Sequence, residues 1–212
     1  MKSPPPRAAL FILGVPLAVF LPLSCLHLST SGDDTASLRF FENGLDRGTF
    51  TLAQLRARVP EEAVSGFDPY YQRPKQWRAL PLQTVLRLAF PAAQLRNLEF
   101  IMRASDGYTV PVSGASLLTG GAFLAFADAE GPWQPIGPRK ANPGPWYLVW
   151  KGEGQTDLAS HPRPWALASI SIEPFEAVFP LTVPRSKEGR AVQGFELFRL
   201  HCIVCHAINQ QG

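Results

Sequence analysis

LEFIMRASDGYTVPV, residues 98–112, decides how the middle of this chain folds. Two runs of apolar and β-branched residues, 98–103 and 108–112, flank Asp106-Gly107, and Asp-Gly between such runs is a strong turn signal. A β-hairpin is therefore expected. Outward from it, AFLAF (122–126), YLVW (147–150) and LASISI (167–172) supply three further strands, and SLRFF (37–41) another. Two short helices interrupt the pattern. Thr51 is placed to cap LAQLRAR, which Pro60 closes, and Pro81 opens LQTVLRLA, which ends before Pro91. The expectation is an α+β, β-rich domain over residues 32–180.

The composition agrees with that reading. The chain has 212 residues, 46% of them hydrophobic, enough for one medium domain with a small addition. Its 21 prolines and 17 glycines favour turns and short strands over long helices. The formal net charge of +3 falls to about +1 once Lys2 and Arg7 are set aside, so nothing electrostatic points to a nucleic-acid partner. There is no internal repeat and no low-complexity tract.

Lys2 and Arg7 precede an apolar run, AALFILGVPLAVFLPLSCLHL (8–28), followed by Ser29, Thr30 and Ser31. Residues 1–31 thus form a signal peptide or, if uncleaved, a membrane anchor that would attach the chain to the membrane. Pro16, Pro22 and His27 interrupt the run and favour the signal peptide, hence a periplasmic location. A lipid anchor on Cys25 is disfavoured, because Pro22 stands where lipoboxes usually carry leucine.

Beyond Cys25 the only cysteines are Cys202 and Cys205, in CIVCH, residues 202–206. A disulfide between them would close too short a loop to stabilise the fold appreciably. Thiols at i and i+3 of a helix project from nearly the same face and suit addition to the two vinyl groups of one haem, while His206 brings an imidazole to the iron. Cys202 and Cys205 are the candidate covalent haem c attachment residues, and His206 the candidate proximal iron ligand. Structural zinc is disfavoured, because no second cysteine pair exists. A thioredoxin-type pair would open a helix rather than follow one. Upstream, Phe195, Phe198, Cys202 and Cys205 recur at helical spacing as one apolar face.

At this point residues 193–212 resemble the N-terminal helix of class I cytochromes c. A glycine eight positions and an aromatic four positions before the first cysteine are typical there, and Gly194 and Phe198 stand at those places. The resemblance implies that the glycine admits a crossing C-terminal helix and that a distal methionine and further helix follow, so the natural protein is expected to continue past Gly212. The only methionines here are Met1 and Met102. If the chain is complete, His161 is the candidate sixth ligand, whereas His201 adjoins the first thioether position and reaches across the ring poorly. Residues 181–192, polar and without periodicity, are expected to be an interdomain linker.

The body carries a second resemblance. DGYTVPV (106–112), GAFLAFADAEGPWQPIGPRK (121–140), PGPWYLVW (143–150) and WALASISI (165–172) resemble the molybdopterin-binding domain of the sulfite oxidase family. That family implies a mixed α+β body in which a cysteine thiolate holds molybdenum. No cysteine lies between Cys25 and Cys202, which argues against a molybdenum cofactor. Arg139 and Lys140 offer a phosphate contact, but a solvated basic turn is the simpler reading. Trp133, Trp146, Trp150, Tyr70 and Tyr71 are candidates for a pocket wall or, more simply, for core.

Three functions follow. The leading one is a c-type cytochrome carrying single electrons between periplasmic redox partner proteins, an electron carrier rather than a catalyst. The others are a molybdenum-cofactor oxidoreductase with a tethered haem, and a binding module whose CxxCH is vestigial.

Overall fold

The computed structural model describes residues 1–2, 33–119, 121–152 and 154–212. Most of the expected leader lies outside the described residues. Among the described residues, nine strands form two sheets. They are β1 (Ser37–Glu42), β2 (Leu45–Thr51), β3 (Glu62–Asp68), β4 (Arg73–Pro81), β5 (Glu99–Ala104), β6 (Thr109–Ser113), β7 (Ala122–Asp128), β8 (Tyr147–Trp150) and β9 (Leu167–Ile172). The first sheet has the order β2-β1-β9-β5-β6 and the second β3-β4-β7-β8. Every pairing is antiparallel except β1 with β9. Among the described residues, five short α-helices accompany them: α1 (Leu52–Arg56), α2 (Leu82–Ala89), α3 (Gly114–Thr119), α4 (Phe175–Val178) and α5 (Arg190–Leu197). The chain is a β-rich α+β protein. No helix among the described residues is long and apolar enough to cross a membrane.

The expected hairpin is present, with Glu99 opposite Ser113 and Arg103 opposite Thr109. Gly107 takes a φ of +93° at the turn, and Asp106 Oδ1 accepts the Tyr108 N–H at 3.0 Å. The two expected early helices also form. Thr51 Oγ1 accepts from Gln54 N–H at 3.2 Å while Gln54 Oε1 accepts from Thr51 N–H at 2.9 Å, a complete capping box on α1.

Three apolar layers result. Leu38 and Phe40 of β1, Phe100 and Met102 of β5 and Ile170 of β9 meet Leu124 and Phe126 of β7, Leu148 and Trp150 of β8 and the buried face of α2 in the largest cluster, between the sheets. The far side of the second sheet, with Val64, Trp77, Tyr147 and Val149, is covered by Ile136 and Trp133 of the 129–146 loop. Central strand β7 is buried along its whole length because both of its faces are covered. The outer face of the first sheet presents Ile101, covered by Phe175, Phe179, Phe198 and Ile203.

Strands β3 and β4 lack a clean apolar alternation because charged groups, Asp68 and Lys75, take inward positions, and β2 lacks one because none of its residues is fully buried. Lys75 on β4 is 1% exposed. Its Nζ lies 2.5 Å from Asp128 Oδ2 and 2.9 Å from Glu130 Oε2, with the Tyr71 ring 5.0 Å away. Hydrogen bonds from Arg73, then Lys75, hold the Glu130 carboxyl down to about 2.

Two outcomes are expected. Asp128→Ala, which leaves Lys75 buried beside only the partly exposed Glu130, lowers stability by about 3–5 kcal/mol in urea unfolding. A depressed carboxylate contributes stability that is complete above its unfolded pKa of 4.5 and is lost as pH falls towards about 2. Acid titration of unfolding should therefore show a stability loss across that window, and Glu130→Gln should flatten it.

Candidate functional site

Helix α5 and the π-helical turn after it, Phe198–Cys202, carry the motif. The stretch 181–192 holds a 3-10 turn, Pro180–Thr182, at one end and the start of α5 at Arg190 at the other. Phe195 and Phe198 face the sheet, as their spacing predicts, and Phe195 packs edge-on to Phe175 at 5.7 Å. The stripe then changes phase. Ile203 N–H donates to Phe198 O at 3.0 Å, an i to i−5 bond that inserts one residue into the turn and rotates everything after it by about 100°. Ile203 (1% exposed) and Val204 (8%) therefore face inward, while Cys205 and His206 face outward. This departs from the single stripe ending on both cysteines that the spacing predicts.

The motif is fastened on three sides. Ile203 is buried in the outer cluster with Ile101, Phe175 and Phe179, and Cys202 packs half-buried against it. Tyr108 Oη donates to Val204 O at 2.9 Å. Arg199 donates to Glu99 Oε2 at 2.9 Å and to Glu176 Oε1 at 3.2 Å, and lies 4.9 Å from the Phe175 ring. Burial raises the Glu99 carboxyl, with the Arg199 cation opposing. Past the motif, Asn209 Nδ2 donates to Leu181 O at 2.7 Å, and Gln211 Oε1 accepts from Leu181 N–H at 2.6 Å.

Cys202 and Cys205 are free thiols one turn apart. Cys205 N–H and His206 N–H both donate to Cys202 O, at 3.0 and 2.8 Å, so the three residues share one tight turn. The His206 ring is exposed and has no hydrogen-bond or ion-pair partner among the described residues. Two nucleophilic sulfurs and one unengaged imidazole on a single turn are a donor set that fits covalent haem. No group of three or more His, Cys, Asp and Glu gathers as a metal-ion site among the described residues.

The other candidates sit elsewhere. Met102 is fully buried in the inner core, on the face of β5 opposite the motif. His161 packs edge-on to Trp150 at 4.8 Å, with Nδ1 3.2 Å from Ser160 Oγ, and burial lowers its pKa. His201 shares a groove with Ser160, Pro162 and Leu200. A Cβ on Gly194 would meet nothing within 4 Å. Arg139 and Lys140 are exposed on a turn. Trp146 and Trp150 are core, their indole N–H groups donating to Ser37 O at 3.0 Å and Pro162 O at 2.9 Å. Tyr71 donates to Gln134 O at 2.5 Å.

Tyr70, a candidate for a pocket wall in the sequence, lines a cavity beside Val204 together with Tyr108 and Trp165, which sequence reasoning missed. Burial pushes the Tyr70 phenol up to about 12, with the negative charge of Asp68 adding and Arg163 opposing. No signal in the sequence joins these residues, which come from three distant turns. No protein-family model and no curated protein matches the sequence.

Phe175→Ala should loosen the attachment of the motif. The expected result is faster amide exchange across 190–206, with Phe-to-Ala truncation in a packed cluster costing about 3–5 kcal/mol if the segment unfolds with the body.

Proposed function

We propose that this chain is a c-type cytochrome, an exported one-electron carrier. Haem c, when bound, supplies an iron that gains and loses a single electron. Cys202 and Cys205 hold the ring through thioether bonds, and His206 supplies the proximal imidazole. The observation that carries this reading is the turn itself: two free thiols and an unengaged imidazole joined by hydrogen bonds to one carbonyl, that of Cys202.

The chain's own residues do the rest. Ile203 and Val204 turn inward and seat the turn on the body, leaving Cys205 and His206 facing out. The resemblance of residues 193–212 to the first helix of class I cytochromes c, and of residues 36–176 to the molybdopterin-binding domain of the sulfite oxidase family, suits a haem unit carried by a β-rich body. That body positions the haem and meets redox partner proteins. Export directed by residues 1–31 puts the protein in the periplasm, where haem c attachment takes place.

Replacing Cys202 and Cys205 together by Ser should abolish haem staining on a denaturing gel and the reduced c-type absorption of protein matured with haem. An unchanged spectrum would overturn the reading. Metal analysis of the purified protein should find iron without stoichiometric molybdenum. Molybdenum bound in proportion to the chain would instead make it a molybdenum-cofactor oxidoreductase.

A further inference from the structure

A cavity of about 240 Å³ opens directly beside the cysteine motif. Its walls are Tyr70, Ala104, Asp106, Tyr108, Trp165 and Val204, the last being part of the motif itself. Tyr70 and Trp165 stand at 90° to each other with ring centroids 4.8 Å apart. The Tyr108 hydroxyl is engaged by Val204 O at 2.9 Å, so its ring is fixed as a third wall. The backbone of Tyr70 is anchored as well. Asp68 is fully buried and accepts Tyr70 N–H at 2.8 Å through Oδ1 and the Tyr147 hydroxyl at 2.7 Å through Oδ2. Stiff aromatic walls held by the backbone make a preformed site.

Cys205 follows Val204 directly and is exposed. Because Val204 lines the cavity, any group bonded to Cys205 Sγ is attached one residue from its wall.

We propose that the cavity is a seat for one edge of the porphyrin ring, the edge carried by Cys205; this rests on the haem reading above. The chemistry of the walls matches a flat, polarizable hydrocarbon edge, which aromatic faces receive through edge-to-face contacts. The volume suits part of such a ligand, being smaller than the roughly 300 Å³ at which pockets enclose a whole drug-sized molecule. The only ionisable wall besides the phenols is Asp106, and its Oδ1 is already taken by Tyr108 N–H at 3.0 Å. Seating the edge also excludes water from that side of the ring. The ferric state carries one more positive charge than the ferrous, so the aromatic rings of the wall disfavour it while the exposed Asp106 carboxylate favours it, and removing a ring lowers the reduction potential.

The test uses the full chain matured with haem. Haem staining comes first, and a chain without covalent haem overturns both the haem reading and the seat. Given covalent haem, proton NMR of the ferrous, carbon monoxide-bound protein should show cross-relaxation between the Trp165 or Tyr70 ring protons and porphyrin methyl or meso protons. Its absence overturns the seat alone. As a second measurement, Trp165→Ala with unchanged haem per chain should lower the midpoint potential and weaken the Soret circular dichroism, because an aromatic neighbour of the ring is removed. A variant that binds haem with the parent's potential and Soret band likewise overturns the seat.

Discussion

Ile101 is the large apolar side chain that β5 turns away from the inner core, and covering it determines where the C-terminal segment goes. Phe175, Phe179, Phe198 and Ile203 close over it. Bringing four large side chains from distant positions onto one sheet face is favourable at roughly 25 cal/mol for each Å² of apolar surface removed from water. The helix could not reach Ile101 with both Phe198 and Ile203 if it stayed regular. The π-helical turn inserts the needed residue, and its cost is offset by the burial it permits. A consequence is chemical: the same insertion that sinks Ile203 turns Cys205 and His206 out of the cluster.

A second constraint lies in the second sheet and its loops. Lys75, Asp128 and Asp68 are buried charges, each paired rather than left alone. Asp68 is the hinge of this region, because it binds Tyr70, Tyr71 and Tyr147 at once. Through Tyr70 it shapes the aromatic cavity next to the motif. The polar network under the second sheet and the cysteine turn on the first sheet thus meet at one place, through a ring that belongs to neither sheet. Under the proposed function, the body is more than a carrier of the haem segment: its loops form part of the haem's surroundings.

Much of this was legible in the sequence where local signals act alone. Asp106-Gly107 announced the β5–β6 hairpin because Gly107 needs a positive φ, and Thr51 announced α1 because a side-chain oxygen must satisfy free N–H groups. The CIVCH run marked its residues by spacing within one turn. Strand β4 stayed hidden, since Lys75 sits where the alternation calls for an apolar residue and becomes tolerable only beside Asp128, 53 positions away, and β2 stayed hidden because none of its residues is fully buried. The wall formed by Tyr70, Tyr108 and Trp165 was equally hidden.

The sequence by itself determined the β-rich α+β character, the early helices, the hairpin and the residues of the cysteine motif, because each rests on contacts within a few positions of the chain. Only the tertiary structure decided which side of the motif faces the body and which rings surround it. Those depend on long-range burial of Ile101 and on one inserted residue at Phe198–Cys202. A helical repeat read from spacing alone continues without a phase change, whereas packing against a sheet selects the phase that buries the most apolar surface.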